Sequence, residues 1–142
     1  MAHARQRIRD ALVAALAGLS VGGRIYASRL IPLADTHLPC LLVNTDDEAI
    51  AGGDVGQLLE RRIAVSIRAV VKAVATFDDD LDDLVAEVEA RLAGNTLGNL
   101  VKALFLESIR IDFEELDRPV GVADMRFAAV YFTNAGAPGT TL

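Results

Sequence analysis

Residues 59–74 read Leu-Glu-Arg-Arg-Ile-Ala-Val-Ser-Ile-Arg-Ala-Val-Val-Lys-Ala-Val. Ile63, Val65, Ile67, Ala69, Val71 and Ala73 alternate with Arg62, Ser66, Arg68 and Lys72. Side chains of a strand point to opposite faces with period two, so this stretch predicts a long strand with one apolar face and one basic face. The next stretch changes period. Phe77, Leu81, Leu84, Val85, Val88 and Leu92 fall on one helical stripe, predicting a helix over 76–92. Thr76 with Asp79 fits the Ser/Thr-x-x-Asp/Glu capping pattern. Asp78, Asp79, Asp80, Asp82 and Asp83 crowd the first turns, where the positive end of the helix dipole favours carboxylates.

Upstream, Ile8, Leu12, Leu16 and Leu19 predict an N-terminal helix over 5–19, wetted by Arg5, Arg7, Arg9 and Asp10. A short strand is expected at 24–28, and an extended segment at Leu30–Leu33 because the residue before Pro32 avoids the helical region. Pro39 leads Cys40-Leu41-Leu42-Val43, a continuous apolar run that suits a strand covered on both faces. Residues 44–56 hold Asp46, Asp47, Glu48, Gly52, Gly53, Asp54 and Gly56, and read as a loop. Downstream, 105–116 and 122–133 alternate as two strands of a hairpin. Ile109, Ile111 and Phe113 share one face of the first, and Met125, Phe127, Ala129 and Tyr131 one face of the second. The expected fold is α+β: a two-layer sandwich whose mixed or mainly antiparallel sheet carries two main helices on one face. Residues 1–134 form the single domain and 135–142 a flexible C-terminal tail.

Composition bounds the function. The chain has 142 residues, 52% hydrophobic and 24% charged, enough for one cored domain. A net charge of −6 argues against nonspecific nucleic-acid binding, which needs a basic footprint. One cysteine (Cys40) and two histidines (His3 and His37) give neither a disulfide nor a thiolate-rich zinc site. No apolar run reaches the roughly 20 residues of a membrane span. The expectation is a soluble protein made in the cytoplasm, with no membrane partner.

No nucleophile elbow and no phosphate loop is present. His37 and Cys40 are close in sequence, but Cys40 lies in an apolar run where a free thiol behaves as a small hydrophobe. Asp46-Asp47-Glu48 lacks the spacing of a calcium loop. Two charge groups remain as subunit-interface candidates. They are the basic strand face (Arg62, Arg68, Lys72) and the acidic helix start (Asp78, Asp79, Asp82).

The chain resembles tail terminators of long-tailed bacteriophages, of the lambda-like minor tail protein U type, over residues 4–134. The resemblance rests on the helix beginning Arg5-Gln6-Arg7-Ile8-Arg9-Asp10-Ala11-Leu12 and on Leu38-Pro39-Cys40-Leu41-Leu42-Val43-Asn44-Thr45. It rests also on the long strand entering Asp79-Asp80-Leu81-Asp82-Asp83-Leu84, and on the closing hairpin. It implies a virion protein of the tail, at the head–tail junction, that forms a hexameric homo-oligomer ring. The ring caps the tail tube protein, ends tube polymerisation and offers the surface for the head–tail connector protein. The genome DNA passes through without specific binding. No catalytic residue, cofactor or metal is implied. The alternatives are another head–tail joining or tail-completion protein, or a small enzyme with an unrecognised site.

Overall fold

The computed structural model describes residues 2–27, 30, 35–52, 57–115 and 119–142. Its elements are α1 (Ala4–Ala15), β1 (Ile25–Tyr26), a 3-10 turn (Asp35–His37), β2 (Cys40–Gly52), β3 (Leu58–Lys72), α2 (Phe77–Leu92), β4 (Ala103–Glu115) and β5 (Pro119–Asn134). They form a five-stranded sheet in the order β1-β2-β3-β5-β4. Only β1 against β2 is parallel among neighbours; the other pairs are antiparallel. Both helices lie on one face, which is the expected α+β sandwich. Ile8, Leu12 and Leu16 of the α1 region and Leu81, Leu84 and Val88 of α2 share one core with Leu41, Val43, Ile63, Val65, Ile67, Met125, Phe127 and Tyr131.

The expected loop over 44–56 is corrected as far as residue 52: β2 runs to Gly52 and makes a long hairpin with β3. The cause is a bulge. Thr45 pairs with Val65 and Glu48 with Ile63, so Asp46 and Asp47 together oppose one residue. An extra residue switches which side chains face the core. Leu41, Val43 and Thr45 point to the helix side before the bulge, and Glu48 after it. β4 has the same device between Leu106 and Ser108. The remainder of that loop, the extended segment at 31–33 and the turn at 117–118 lie outside the described residues.

The opposite sheet face carries a smaller apolar cluster: Leu38, Cys40, Leu42, Val70, Val120 and Val122, with Tyr26 packed against it. The run Cys40–Val43 is thus covered on both sides. Residues 135–142 return over the start of α1: Ala4 N donates to Pro138 O at 2.8 Å and Arg7 Nη1 to Gly139 O at 2.5 Å. The capping pattern at α2 is not realised. Thr76 is the N-cap, yet its hydroxyl donates to Asp80 Oδ2 at 3.2 Å and caps no backbone N–H.

Gly121 seats the start of α2. A Cβ there would lie 2.5 Å from Phe77 Cδ2 and 3.3 Å from Leu81 Cδ1. Gly121→Val is expected to push Phe77 off the sheet and cost about 1–3 kcal/mol, the usual penalty of overpacking. Thermal unfolding of the variant checks it, and an unchanged melting temperature contradicts this seating.

Candidate functional site

β3 places Arg62, Arg68 and Lys72 on the helix-free face of the sheet. Asp78, Asp79 and Asp82 are exposed on α2, on the other face. The structure therefore does not bring the two charge groups together within one chain. It gives two of the cations in-chain partners that the sequence did not reveal. Arg62 Nη2 pairs with Glu107 and lies over the Phe105 ring, 4.8 Å from its centroid. Arg68 Nη2 lies 3.2 Å from Glu114. Both acids sit on β4, two strands away in the sheet, a distance no local sequence pattern encodes.

These pairs belong to a mixed-charge lattice on the helix-free face. Arg126 reaches Asp46 at 3.0 Å and Asp124 at 3.6 Å, Ser66 donates to Asp124 at 2.8 Å, and Arg110 pairs with Asp112 at 3.1 Å. The lattice encloses a polar depression of about 230 Å³. Acids and bases alternate across it, so it presents no concentrated field of one sign. By contrast, no ion pair among the described residues engages Asp78, Asp79 or Asp82, nor Arg5, Arg7 or Arg9 of α1.

The sheet edges are unlike one another. α1 lies over β2, and α2 over β3 and β5. No helix covers most of β4. Ile109, Ile111 and Phe113 point to the helix side and stay 41%, 44% and 50% exposed. Only at one end does α2 reach them, where Phe77 and Phe113 meet with ring centroids 6.1 Å apart. A long edge with an uncovered apolar row is a template for pairing with another chain. On the far side, β1 covers only Leu41 and Leu42 of β2. The rest of that edge, from Val43 to Gly52, pairs with no strand among the described residues, and Ile50 on it is 53% exposed.

His37 and Cys40 do not form a reactive pair. His37 is exposed and meets Tyr26 edge-on at 6.1 Å, while Cys40 is buried. Burial is the main cause that pushes the Cys40 thiol up to about 11. Tyr131 is also raised above its ordinary value, first by burial and then by its hydrogen bond to Glu48. Both groups are acids that the fold holds neutral. The unfolded chain releases their protons from about pH 9 upward. Stability is thus level below that pH and falls as pH climbs towards 11. Melting temperatures across that window are expected to drop, and Cys40→Ala to remove the part that begins near pH 9.

His3 caps α1 by accepting from Arg5 N at 3.1 Å through Nδ1. Its pKa is lowered, by burial first and then by Arg5. A pocket of about 420 Å³ between the α2 start and the end of β3 is lined by Leu38, Pro39, Val71, Val74 and Leu84, with Lys72, Asp80 and Asp83 at its polar part. Among the described residues no group of three or more His, Cys, Asp or Glu side chains converges as metal ligands, and no helix is long and apolar enough to cross a membrane.

No family model matches the chain, and no curated protein matches it. Among solved structures it is similar to a chain of the virion of a native gene transfer agent particle. The two are 18% identical, the match covers 90% of this chain and 91% of that one, and the TM-score is 0.38. At that score the two backbones differ in much of their detail, and the functional reading rests on this chain's own sheet edges and charges.

Proposed function

We propose that this chain is a non-enzymatic structural virion protein of the tail-terminator kind. Its copies close into a ring that caps a tail tube, ends tube growth and presents a surface for head–tail joining. The observation that carries the reading is the β4 edge of the sheet, where Ile109, Ile111 and Phe113 stay exposed on the helix side. A ring requires a heterologous contact, in which one patch of each subunit meets a different patch of the next. The β4 margin supplies one such patch, and the opposite side of the sheet, where β1 and β2 lie, offers a different surface.

The resemblance over residues 4–134 supplies the tail context and the ring of six. The mixed-charge, helix-free face suits a wall past which DNA slides, because cation–phosphate contacts dominate nonspecific affinity and here each described arginine of that face has a carboxylate beside it. Asp78, Asp79 and Asp82 belong to the subunit contact in this proposal. Arg62, Arg68 and Lys72 border the same sheet, with Arg62 and Arg68 held in-chain. Sedimentation of the protein and electron microscopy of its assembled form test the ring. Arrest of tube elongation on adding the protein to polymerising tube subunits tests the capping. A protein that stays monomeric at every concentration and salt, and leaves elongation unchanged, overturns the reading.

A further inference from the structure

We infer that the outer edge of β4 pairs antiparallel with β4 of a second copy of this chain, about a two-fold axis at Ile111. The inference goes beyond the ring reading: before assembly, a reversible dimer closes the margin that the ring uses.

β4 is last in the sheet order β1-β2-β3-β5-β4, and no described strand pairs with its outer side. An inward-pointing charge on such an edge discourages pairing with another chain. β4 carries none between Ser108 and Glu114. Its helix side there is Ile109, Ile111 and Phe113, all exposed.

The sequence of the edge selects the register. Residues 108–114 read Ser-Ile-Arg-Ile-Asp-Phe-Glu, and the bulge between Leu106 and Ser108 ends the regular ladder on one side. Residues directly opposite in an antiparallel pair share a face. With Ile111 opposite the second copy's Ile111, Ile109 meets Phe113 twice on the helix side. On the other face Arg110 meets Asp112 twice, and Ser108 lies opposite Glu114. Each pair is apolar with apolar, opposite in charge, or hydroxyl with carboxylate. The other registers lose this match. An axis at Arg110 sets two guanidinium groups opposite each other, and one at Asp112 sets two carboxylates so. An axis at Ile109 runs the ladder into the bulge, and one at Phe113 sets Asp112 against Glu114. An axis between two residues sets Ile109 against a carboxylate or β4's apolar row against its polar one.

Charge and space agree with the placement. Arg110 Nε lies 3.1 Å from Asp112 Oδ2 of its own strand, and the two side chains are 79% and 48% exposed. Pairing makes an alternating square of four charges, in which each arginine has two carboxylates beside it. α2 lies over β3 and β5, so about four strand spacings, roughly 19 Å, separate it from the second α2. Packed helices stand about 8–10 Å apart, so the two do not clash. Phe77 meets Phe113, and Phe113 lies opposite the second copy's Ile109. The two acidic α2 starts therefore stand at opposite ends of the joined row. One short strand buries less than the roughly 1,200 Å² of a stable interface, so the dimer is reversible and ring assembly can open it.

Disulfide trapping tests the contact. Ile111→Cys and Ile109→Cys are made singly, with folding checked by circular dichroism. Opposite Cβ atoms lie about 4.5–5.5 Å apart at the axis. Ile109 and its copy are offset by four residues, about 13 Å. Under mild oxidation Ile111→Cys is expected to give a covalent dimer and nothing larger, and Ile109→Cys to stay monomeric on non-reducing electrophoresis. No dimer from Ile111→Cys, or as much from Ile109→Cys, overturns the inference. Sedimentation gives a second measurement that needs no cysteine. Arg110→Asp is expected to raise the dimer Kd about tenfold, and adding Asp112→Arg to restore it. A Kd that Arg110→Asp leaves unchanged overturns the inference. The oxidised Ile111→Cys dimer is expected to form no rings until it is reduced, and rings built from it overturn the inference. Rings from a parent that shows no dimer at any dilution also overturn it and leave the ring standing. Dimers that never give rings leave the β4 contact and remove the ring.

Discussion

Glu48→Ala is expected to lower the unfolding free energy by about 3–5 kcal/mol, the cost of breaking a buried ion pair from one side. Glu48 and Arg61 face the core at 6% and 9% side-chain exposure, with 3.4 Å between Oε2 and Nη1. The Tyr131 hydroxyl donates to Glu48 Oε1, and Arg61 Nε donates to Thr133 Oγ1 at 2.9 Å. Removing Glu48 leaves the guanidinium in the core with one neutral hydroxyl, and the Tyr131 hydroxyl without its acceptor. An unmet buried polar group costs roughly 1–3 kcal/mol by itself. Adding Arg61→Met to Glu48→Ala removes the stranded charge. The double variant is therefore expected to be more stable than Glu48→Ala alone, a coupling that urea unfolding of all four members of the cycle measures. A single-variant loss under about 1 kcal/mol, in the range of exposed pairs, contradicts the buried arrangement.

That network shows where sequence reasoning stopped. Strands whose apolar alternation is unbroken were legible: β3 and β5 run within one to three residues of their expected ends. Asn44-Thr45-Asp46-Asp47-Glu48 is polar throughout and looked like solvent-facing loop. The bulge lets Asp46 reach Arg126 on one face while Glu48 meets Arg61 and Tyr131 on the other. Each carboxylate is satisfied by an arginine on a different strand, and nothing local announces such pairing. The same limit applies to the interface candidates. A basic strand face was readable from spacing, but the in-chain partners Glu107 and Glu114 depend on sheet order. The apolar alternation of Ile109, Ile111 and Phe113 was also legible. That no helix covers them follows from helix placement, since α2 lies over β3 and β5.

The two neighbours Leu41 and Leu42 should separate the two cores of the sheet. Both are fully buried, and adjacent strand residues point to opposite faces. Leu41 enters the large core beneath both helices, and Leu42 the small cluster on the other face. Leucine-to-alanine changes in cores cost about 2–5 kcal/mol, with the spread set by how far the surroundings collapse into the cavity. Around Leu41 the walls are the sheet and two helices braced on each other, since Arg91 Nη1 donates to Ala15 O and Ala17 O at 2.8 and 2.6 Å. That cavity stays open, and Leu41→Ala is expected near the top of the range. Around Leu42 the cover is half-buried Tyr26 on a two-residue strand and Leu38 beside the 3-10 turn. These light elements can settle inward, so Leu42→Ala is expected near 2 kcal/mol. Denaturant unfolding of both variants checks the order. Equal losses near the top of the range mean that the helix-free face is packed as rigidly as the helical one. A loss for Leu42→Ala no larger than that of a surface substitution removes the second core.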